Sequence, residues 1–186
     1  MRIALFGIAC VGKSTIGELL ADMLGYTFID FDNEVKVRMG IYVSRLMMDS
    51  FNDYAYRQKV KHILPRILRE YNDNIVIAMP PSGLFREYLA VFREHSDVLT
   101  VALKDKAINI LNRTIFTDDD DNIISEEIIN DNNRHLYYEE IQKDISYYYT
   151  TLRKAKLQFN INGMNAADAA KHLADRIILY KAGMMQ

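Results

Sequence analysis

The stretch that decides the reading is Ile3-Ala4-Leu5-Phe6 running into Gly7-Ile8-Ala9-Cys10-Val11-Gly12-Lys13-Ser14-Thr15. A short apolar run bounded by glycine reads as a buried strand. The residues after it fit the pattern G-x-x-x-x-G-K-[ST], a loop whose backbone N–H groups turn inward on phosphate oxygens. Ile16, Leu19, Leu20, Met23 and Leu24 then recur at the spacing of one helix face. Strand before and helix after are the context this pattern requires, because a helix N-terminus adds further N–H groups and partial positive charge. Gly7, Val11, Gly12, Lys13, Ser14 and Thr15 are therefore the candidate nucleotide-binding set. Lys13 can reach the β and γ phosphates of a bound triphosphate and Ser14 can ligate Mg²⁺.

Composition narrows what such a loop serves. At 186 residues and 49% hydrophobic, the chain is long enough to bury one domain well and short for two, so 1–186 is read as one domain. Net charge is −2 with Lys and Arg dispersed, which offers neither a basic stripe for nucleic acid nor a polybasic helix for a membrane. A small-molecule substrate is expected, and a monomer is favoured over an oligomer. The N-terminus enters a core strand without a charged leader, and no apolar run nears the ~18 residues of a membrane span, so the expected location is cytoplasmic. The lone cysteine, Cys10, agrees with a reducing compartment. It is read as a small loop residue, with a redox-sensitive thiol as the sharper alternative. The four histidines lack metal-ligand spacing.

Apolar runs alternate with helical patterns along the chain. Strands are expected at 2–6, 26–29, 75–79, 98–103 and 157–161, each followed by a helix-period segment. That alternation predicts an α/β three-layer sandwich, a five-stranded parallel sheet with helices on both faces. The clearest helix carries Ala166, Ala169, Ala170, Leu173, Ala174, Ile177 and Ile178 on one stripe. Residues 54–71 also read as helix, which Pro65 should kink or divide. Asp118-Asp119-Asp120-Asp121 with Asn122 reads as a solvated loop between helices, without the alternating ligands and glycine of a Ca²⁺ loop. Tyr147-Tyr148-Tyr149 reads as the packing face of a long helix rather than a base-stacking platform, because no basic groove accompanies it.

Ligands of open α/β sheets sit beyond the carboxyl ends of the strands. The second strand ends Phe28-Ile29-Asp30-Phe31-Asp32. If the extended geometry persists, Asp30 and Asp32 project to one side and face the phosphate loop together. One carboxylate can then hold an Mg²⁺-bound water, and the other can orient an acceptor hydroxyl and take its proton. The competing reading makes Asp32 the N-cap of the next helix, ahead of Asn33-Glu34-Val35.

Gly7 to Thr15, Leu24-Gly25-Tyr26, Phe28 to Asp32, Tyr56-Arg57, and Arg134 with Tyr138 and Glu140 together resemble shikimate kinase in order and spacing. The resemblance places the chain among P-loop kinases of the nucleoside-monophosphate-kinase type, with a substrate-binding helical segment at about 33–62 and a lid at about 114–123. It implies transfer of the ATP γ-phosphoryl group to a hydroxyl of a small carboxylic acid, with ATP and Mg²⁺ as cofactors. On that analogy Lys13, Asp32 and Arg113 are catalytic, Ser14 and Asp30 hold the metal, and Arg113 also contacts the nucleotide. Asp32 binds the acceptor hydroxyl and Arg57 with Arg134 clamps its carboxylate, a task for which a planar guanidinium fork is suited.

Three departures from the family pattern bear on the acceptor. A Gly-Gly-Gly turn after the third strand is replaced by Met79-Pro80-Pro81-Ser82-Gly83, and proline has no N–H to donate. A glutamate three residues after Arg57 is replaced by Val60. The lid runs from Arg113 through Thr114-Ile115-Phe116-Thr117 into four aspartates, without the arginine that offsets transition-state charge in such enzymes. The reading is thus a shikimate kinase-like enzyme with an altered acceptor pocket. A nucleotide sensor with degenerate chemistry and a nucleoside monophosphate kinase are the alternatives.

Overall fold

The computed structural model describes residues 1–118, 122–124 and 128–184. Its strands are β1 (Arg2–Phe6), β2 (Thr27–Asp30), β3 (Ile75–Ala78), β4 (Val98–Lys104) and β5 (Leu157–Asn160). They form one sheet in the order β2-β3-β1-β4-β5, every adjacent pair parallel. Ala4 of β1 stands opposite Ile77 on one side and Thr100 on the other. β1 and β3 are buried along their whole length, which is why they read as continuous apolar runs rather than alternating ones. The expected strands agree with these to within two residues at each end.

The helices are α1 (Lys13–Leu24), α2 (Phe31–Met39), α3 (Val43–Met48), α4 (Asp53–Val60), α5 (Ile63–Glu70), α6 (Arg86–Glu94), α7 (Ala107–Leu111), α8 (Arg134–Leu152) and α9 (Ala166–Lys181). They cover both faces of the sheet, and α1 packs on α9 while α5 packs on α6. Pro65 lies in the first turn of α5, where a backbone N–H has no partner within the helix, so the helix expected over 54–71 divides at Lys61–His62. The stripe on α9 buries Ala169, Ala170, Leu173, Ala174 and Ile177, but Ile178 is exposed. A helix face of 3.6-residue period drifts, and Ile178 falls beyond its edge.

Two connections place the site. β1 is the central strand, and the chain leaves it in one direction to β3 and β2 and in the other to β4 and β5. Its carboxyl end is therefore the crevice where open α/β sheets bind ligands, and the phosphate loop occupies it. β2 passes into α2 with no intervening loop, since Asp30 is both the last strand residue and the helix N-cap. In the segment after Arg113, Thr117 pairs antiparallel with Ile123, Ile124 N donates to Phe116 O at 2.9 Å, and the Asp118 carboxylate accepts from Asn122 N at 2.9 Å. Asp119, Asp120 and Asp121 of the acidic run lie outside the described residues. No helix among the described residues is long and apolar enough to cross a membrane.

Candidate active site

The phosphate loop is shaped by steric exclusion. Gly7 has φ +154°, and a Cβ there would meet Val11 Cγ1 at 2.7 Å and the Leu103 carbonyl oxygen at 2.9 Å. The backbone contact cannot yield, so only glycine lets β1 turn back under its neighbour. Cys10 holds φ 57°, a left-handed conformation uncommon for a residue with a side chain, and its thiol is exposed. Val11 is buried beneath the loop and supports it from the core side. Lys13 bends back over the loop, its Nζ donating to Gly7 O at 3.1 Å and Ile8 O at 2.8 Å. Burial lowers the Lys13 ammonium to about 8, against the opposing charges of Asp32, Cys10 and Asp30. The cation is thus held over the loop on carbonyl partners, a poorly solvated position that an anion would relieve.

Gly12, Lys13, Ser14 and Thr15 line a cavity of about 520 Å³ together with Arg113, Ile115, Met164 and Asn165. The family resemblance makes Arg113 both a catalytic and a nucleotide-contacting residue. It follows α7 and is ion-paired with Asp105, whose side chain is wholly inaccessible to solvent. That partner fixes Arg113 in the lining it shares with the loop and with the chain after β5.

Ser14 Oγ donates to Asp30 Oδ2 at 2.6 Å, so the two candidate metal ligands meet although they are 16 positions apart. Asp30 Oδ1 caps α2, accepting from Asp32 N at 3.0 Å and Asn33 N at 3.3 Å. A hydroxyl and a carboxylate oxygen form an all-oxygen donor pair of the kind Mg²⁺ takes, so these residues fit the ion the loop implies. Extended geometry does not persist past Asp30, and the cap assigned by the alternative reading to Asp32 belongs to Asp30 instead. Asp32 sits inside the first turn of α2, where its charge is favoured by the helix dipole.

Asp32 nonetheless reaches a cavity of its own, about 130 Å³, lined by Arg57 of α4, Asp53, Tyr56, Ser82, Pro80 and Pro81 of the chain after β3, and Tyr148 of α8. Tyr56 OH is buried there without a hydrogen-bond partner among the described residues, and burial together with the Asp32 charge raises its phenol far above the ordinary range. Tyr88, packed edge-on to Phe31 at 5.5 Å, is raised for the same two reasons. The Arg57 guanidinium lies over the Phe85 ring at 4.8 Å and its Nε stands 3.4 Å from Glu87 Oε2. Val60 therefore does not leave Arg57 without an orienting carboxylate, because α6 supplies one. Glu87 is 30 positions away, and nothing in the local sequence signals it. Phe85 also stacks on Tyr148 at 5.7 Å, so one member of the tyrosine run forms part of the cavity wall rather than only a packing face. Pro80 O and Ser82 O accept from Gly83 N and Phe85 N at 2.8 and 2.9 Å, so those two N–H groups are used inside the turn.

Arg134 is not brought to this cavity. It opens α8, donates to Asn112 Oδ1, and lines a separate depression with Ile108, Asp131, His135 and Tyr138. The two-arginine clamp expected from sequence is thus not assembled in this conformation. The reason lies in chain direction: Arg134 is at the beginning of α8, and the part of that helix reaching the Arg57 cavity is Tyr148, near its other end.

Comparisons with known proteins bear on the family and the fold. The chain is 32% identical over 99 residues to the shikimate kinase of Nitrosomonas europaea, covering 53% of this chain and 46% of that one. It is 38% identical over 78 residues to the bifunctional shikimate kinase/3-dehydroquinate synthase of Thermotoga maritima, covering 42% of this chain and 15% of that one. The chain spans less than half the length of these curated relatives. In fold it is similar to the shikimate kinase of Bacteroides thetaiotaomicron, with a TM-score of 0.75 and 19% identity over 96% of this chain and 99% of that one. It is equally similar to the shikimate kinase of Acinetobacter baumannii, a structure in complex with shikimate, with a TM-score of 0.75 and 20% identity over 97% and 94% of the two chains. The family model for shikimate kinase matches residues 9–160, from inside the phosphate loop to the end of β5, and on that match the chain belongs to the shikimate kinase family.

Proposed function

We propose that the protein transfers the γ-phosphoryl group of ATP to a hydroxyl of a small carboxylic acid. The observation that carries this reading is the cavity holding Asp32 and Arg57 at the strand ends beside the phosphate loop. Within it the Asp32 carboxylate is suited to a hydroxyl and the Arg57 guanidinium to a carboxylate, with Asp53 a second acidic group in the lining. Membership of the shikimate kinase family supports the same reaction class.

In this reading the triphosphate lies along the loop, and Lys13 exchanges its bonds to Gly7 O and Ile8 O for phosphate oxygens. Ser14 and Asp30 would hold Mg²⁺, which supplies neutralisation of phosphate charge when bound. Asp32 accepts a hydrogen bond from the acceptor hydroxyl and takes its proton as the oxygen attacks phosphorus in line with the departing ADP. Arg57, fixed by Glu87 and by the Phe85 ring, orients the acceptor through its carboxylate. Arg113 serves the nucleotide from the wall of its cavity rather than the phosphate in flight. The acceptor pocket departs from the family's in that Pro80 and Pro81 donate nothing, which leaves Tyr56 OH and Ser82 as polar groups in that wall. Shikimate is accordingly expected to be a poor substrate.

The test is an ADP-release screen of the purified protein with Mg-ATP against hydroxy acids, shikimate included, and the common nucleoside monophosphates. Stimulation by a hydroxy acid supports the proposal. Turnover confined to a nucleoside monophosphate, or no stimulation by any acceptor, removes the small-acid kinase and favours the monophosphate kinase or the sensor respectively. Family-typical efficiency with shikimate would refute the altered pocket alone.

A further inference from the structure

Asp105 is a charged side chain with no solvent access, and it takes no part in the reaction as derived above. It follows β4 directly and precedes α7. A carboxylate removed from water must be compensated by hydrogen bonds or by charge, and Asp105 collects donors from three directions. Asn109 Nδ2 donates to Oδ1 at 2.7 Å and Lys106 N does so at 2.8 Å. Gly163 N, on the chain after β5, is shared between Oδ1 and Oδ2 at 3.2 and 3.4 Å. Arg113 Nη2 donates to Oδ2. Burial works against the charge, but the bonds from Asn109 and Arg113 prevail and hold the carboxyl below the ordinary aspartate range.

Two of these partners belong to segments that line the cavity of the phosphate loop. Arg113 lines it directly, and Met164 and Asn165, which follow Gly163, line it from the chain after β5. Gly163 is itself constrained. It has φ +75°, and a Cβ there would stand 3.0 Å from Asn109 Nδ2, the group that Asp105 holds. The spacing of these two segments is therefore set through Asp105 and Asn109 rather than by apolar packing alone. A flat guanidinium and a thioether lining one cavity suit a planar heteroaromatic base, whereas phosphates engage the loop.

We propose that Asp105 is a positioning residue for the nucleotide base, tying Arg113 to the Gly163 turn so that the slot between them is preformed. This rests on the reading of the cavity as a nucleotide site, and the test separates the two. Mg-ADP and inorganic tripolyphosphate are titrated against wild type and Asp105→Asn by calorimetry. Asparagine keeps the shape and an accepting oxygen but loses the ion pair with Arg113. Affinity for ADP should fall about tenfold or more, the scale of one charge-assisted hydrogen bond, with tripolyphosphate binding unchanged. A change in fold alone would move both ligands together. Arg113→Gln should give the same selective loss, and the double variant should lose no more than either single one. If Asp105→Asn does not fold, Arg113→Gln carries the comparison, and an unaltered ratio of ADP to tripolyphosphate affinity in it overturns the proposal. So does an Asp105→Asn protein that binds both ligands as wild type does. Wild type that binds neither ligand overturns the nucleotide site itself, and wild type that binds tripolyphosphate but prefers ADP not at all overturns only the base slot.

Discussion

At the phosphate loop nearly every functional group comes from residues 7–15, whereas the acceptor cavity draws Asp32 from α2, Arg57 from α4, Ser82 from the chain after β3 and Tyr148 from α8. The first is built from backbone geometry, with glycine at Gly7 because a neighbouring carbonyl leaves no room for a side chain. The second is built from side chains held by other side chains, as Arg57 is by Glu87 and Phe85. A site of the first kind tolerates almost no local change but is indifferent to distant sequence. A site of the second kind can be retuned by substitutions far along the chain, which is how an acceptor pocket can change while nucleotide binding persists.

The largest expected effect falls on the loop. Mg-ADP at about a hundred times its Kd should stabilise the protein by about 2.7 kcal/mol, because only the folded loop binds it. Lys13→Ala should abolish most of that thermal shift. An unchanged Tm of the wild-type protein at millimolar Mg-ADP would remove the phosphate-loop assignment, and with it the contrast between the two ends.

Next is Asp32, which belongs to the acceptor end although its charge reaches Lys13. Asp32→Asn should lower turnover by ~10² or more, the scale of a positioned base, and leave the Mg-ADP thermal shift nearly intact. Loss of both together would show that the two ends are not separable.

These expectations rest on parts of the molecule that differ in how far sequence reveals them. The strands of the sheet and the loop were legible because their signals are local: an apolar run, a fixed spacing, a helix period. The division of the helix over 54–71 was legible in kind from Pro65. Asp30 and Asp32 were recognised as a pair, but their roles as cap and cavity residue depend on where β2 stops, and a single residue of extension decides it. Glu87 and Asp105 were invisible, since each acts on an arginine brought to it by the fold: Arg57, 30 positions away, and Arg113 across α7. Arg134 shows the converse. The family resemblance implies the clamp, while the direction of α8 sets Arg134 beside Asn112.

That difference between the two arginines gives a smaller, sharper test. Arg57→Lys should weaken a carboxylate acceptor by about tenfold, because a point charge cannot reproduce a bidentate fork. Arg134→Lys should change acceptor affinity far less if the conformation described is the one that binds it. Equal losses in the two variants would mean that Arg134 moves into the cavity when the acceptor arrives, restoring the two-arginine clamp.

The smallest expected effect concerns the ligand-free loop and has a definite sign. Lys13 has an ordinary value of 10.5 and is lowered by burial to about 8 in the folded chain. Between those values the unfolded chain binds more protons than the folded one, so folding gains stability as pH rises through the window. Below pH 8 the buried cation opposes folding in full, and the opposition is relieved towards pH 10.5. Lys13→Met removes the group, so wild type should gain on the variant by a few degrees of Tm as pH rises across that window. Recording the difference between the two proteins at each pH cancels the titrations they share, those of the tyrosines among them. A difference that stays constant from pH 7.5 to 10 would show that Lys13 is well solvated in the empty loop, and the bonds to Gly7 O and Ile8 O would then be incidental to its protonation. A pH dependence of that difference which flattens in the presence of Mg-ADP would place the relief of that buried charge at the phosphates, where the loop and the transfer chemistry meet.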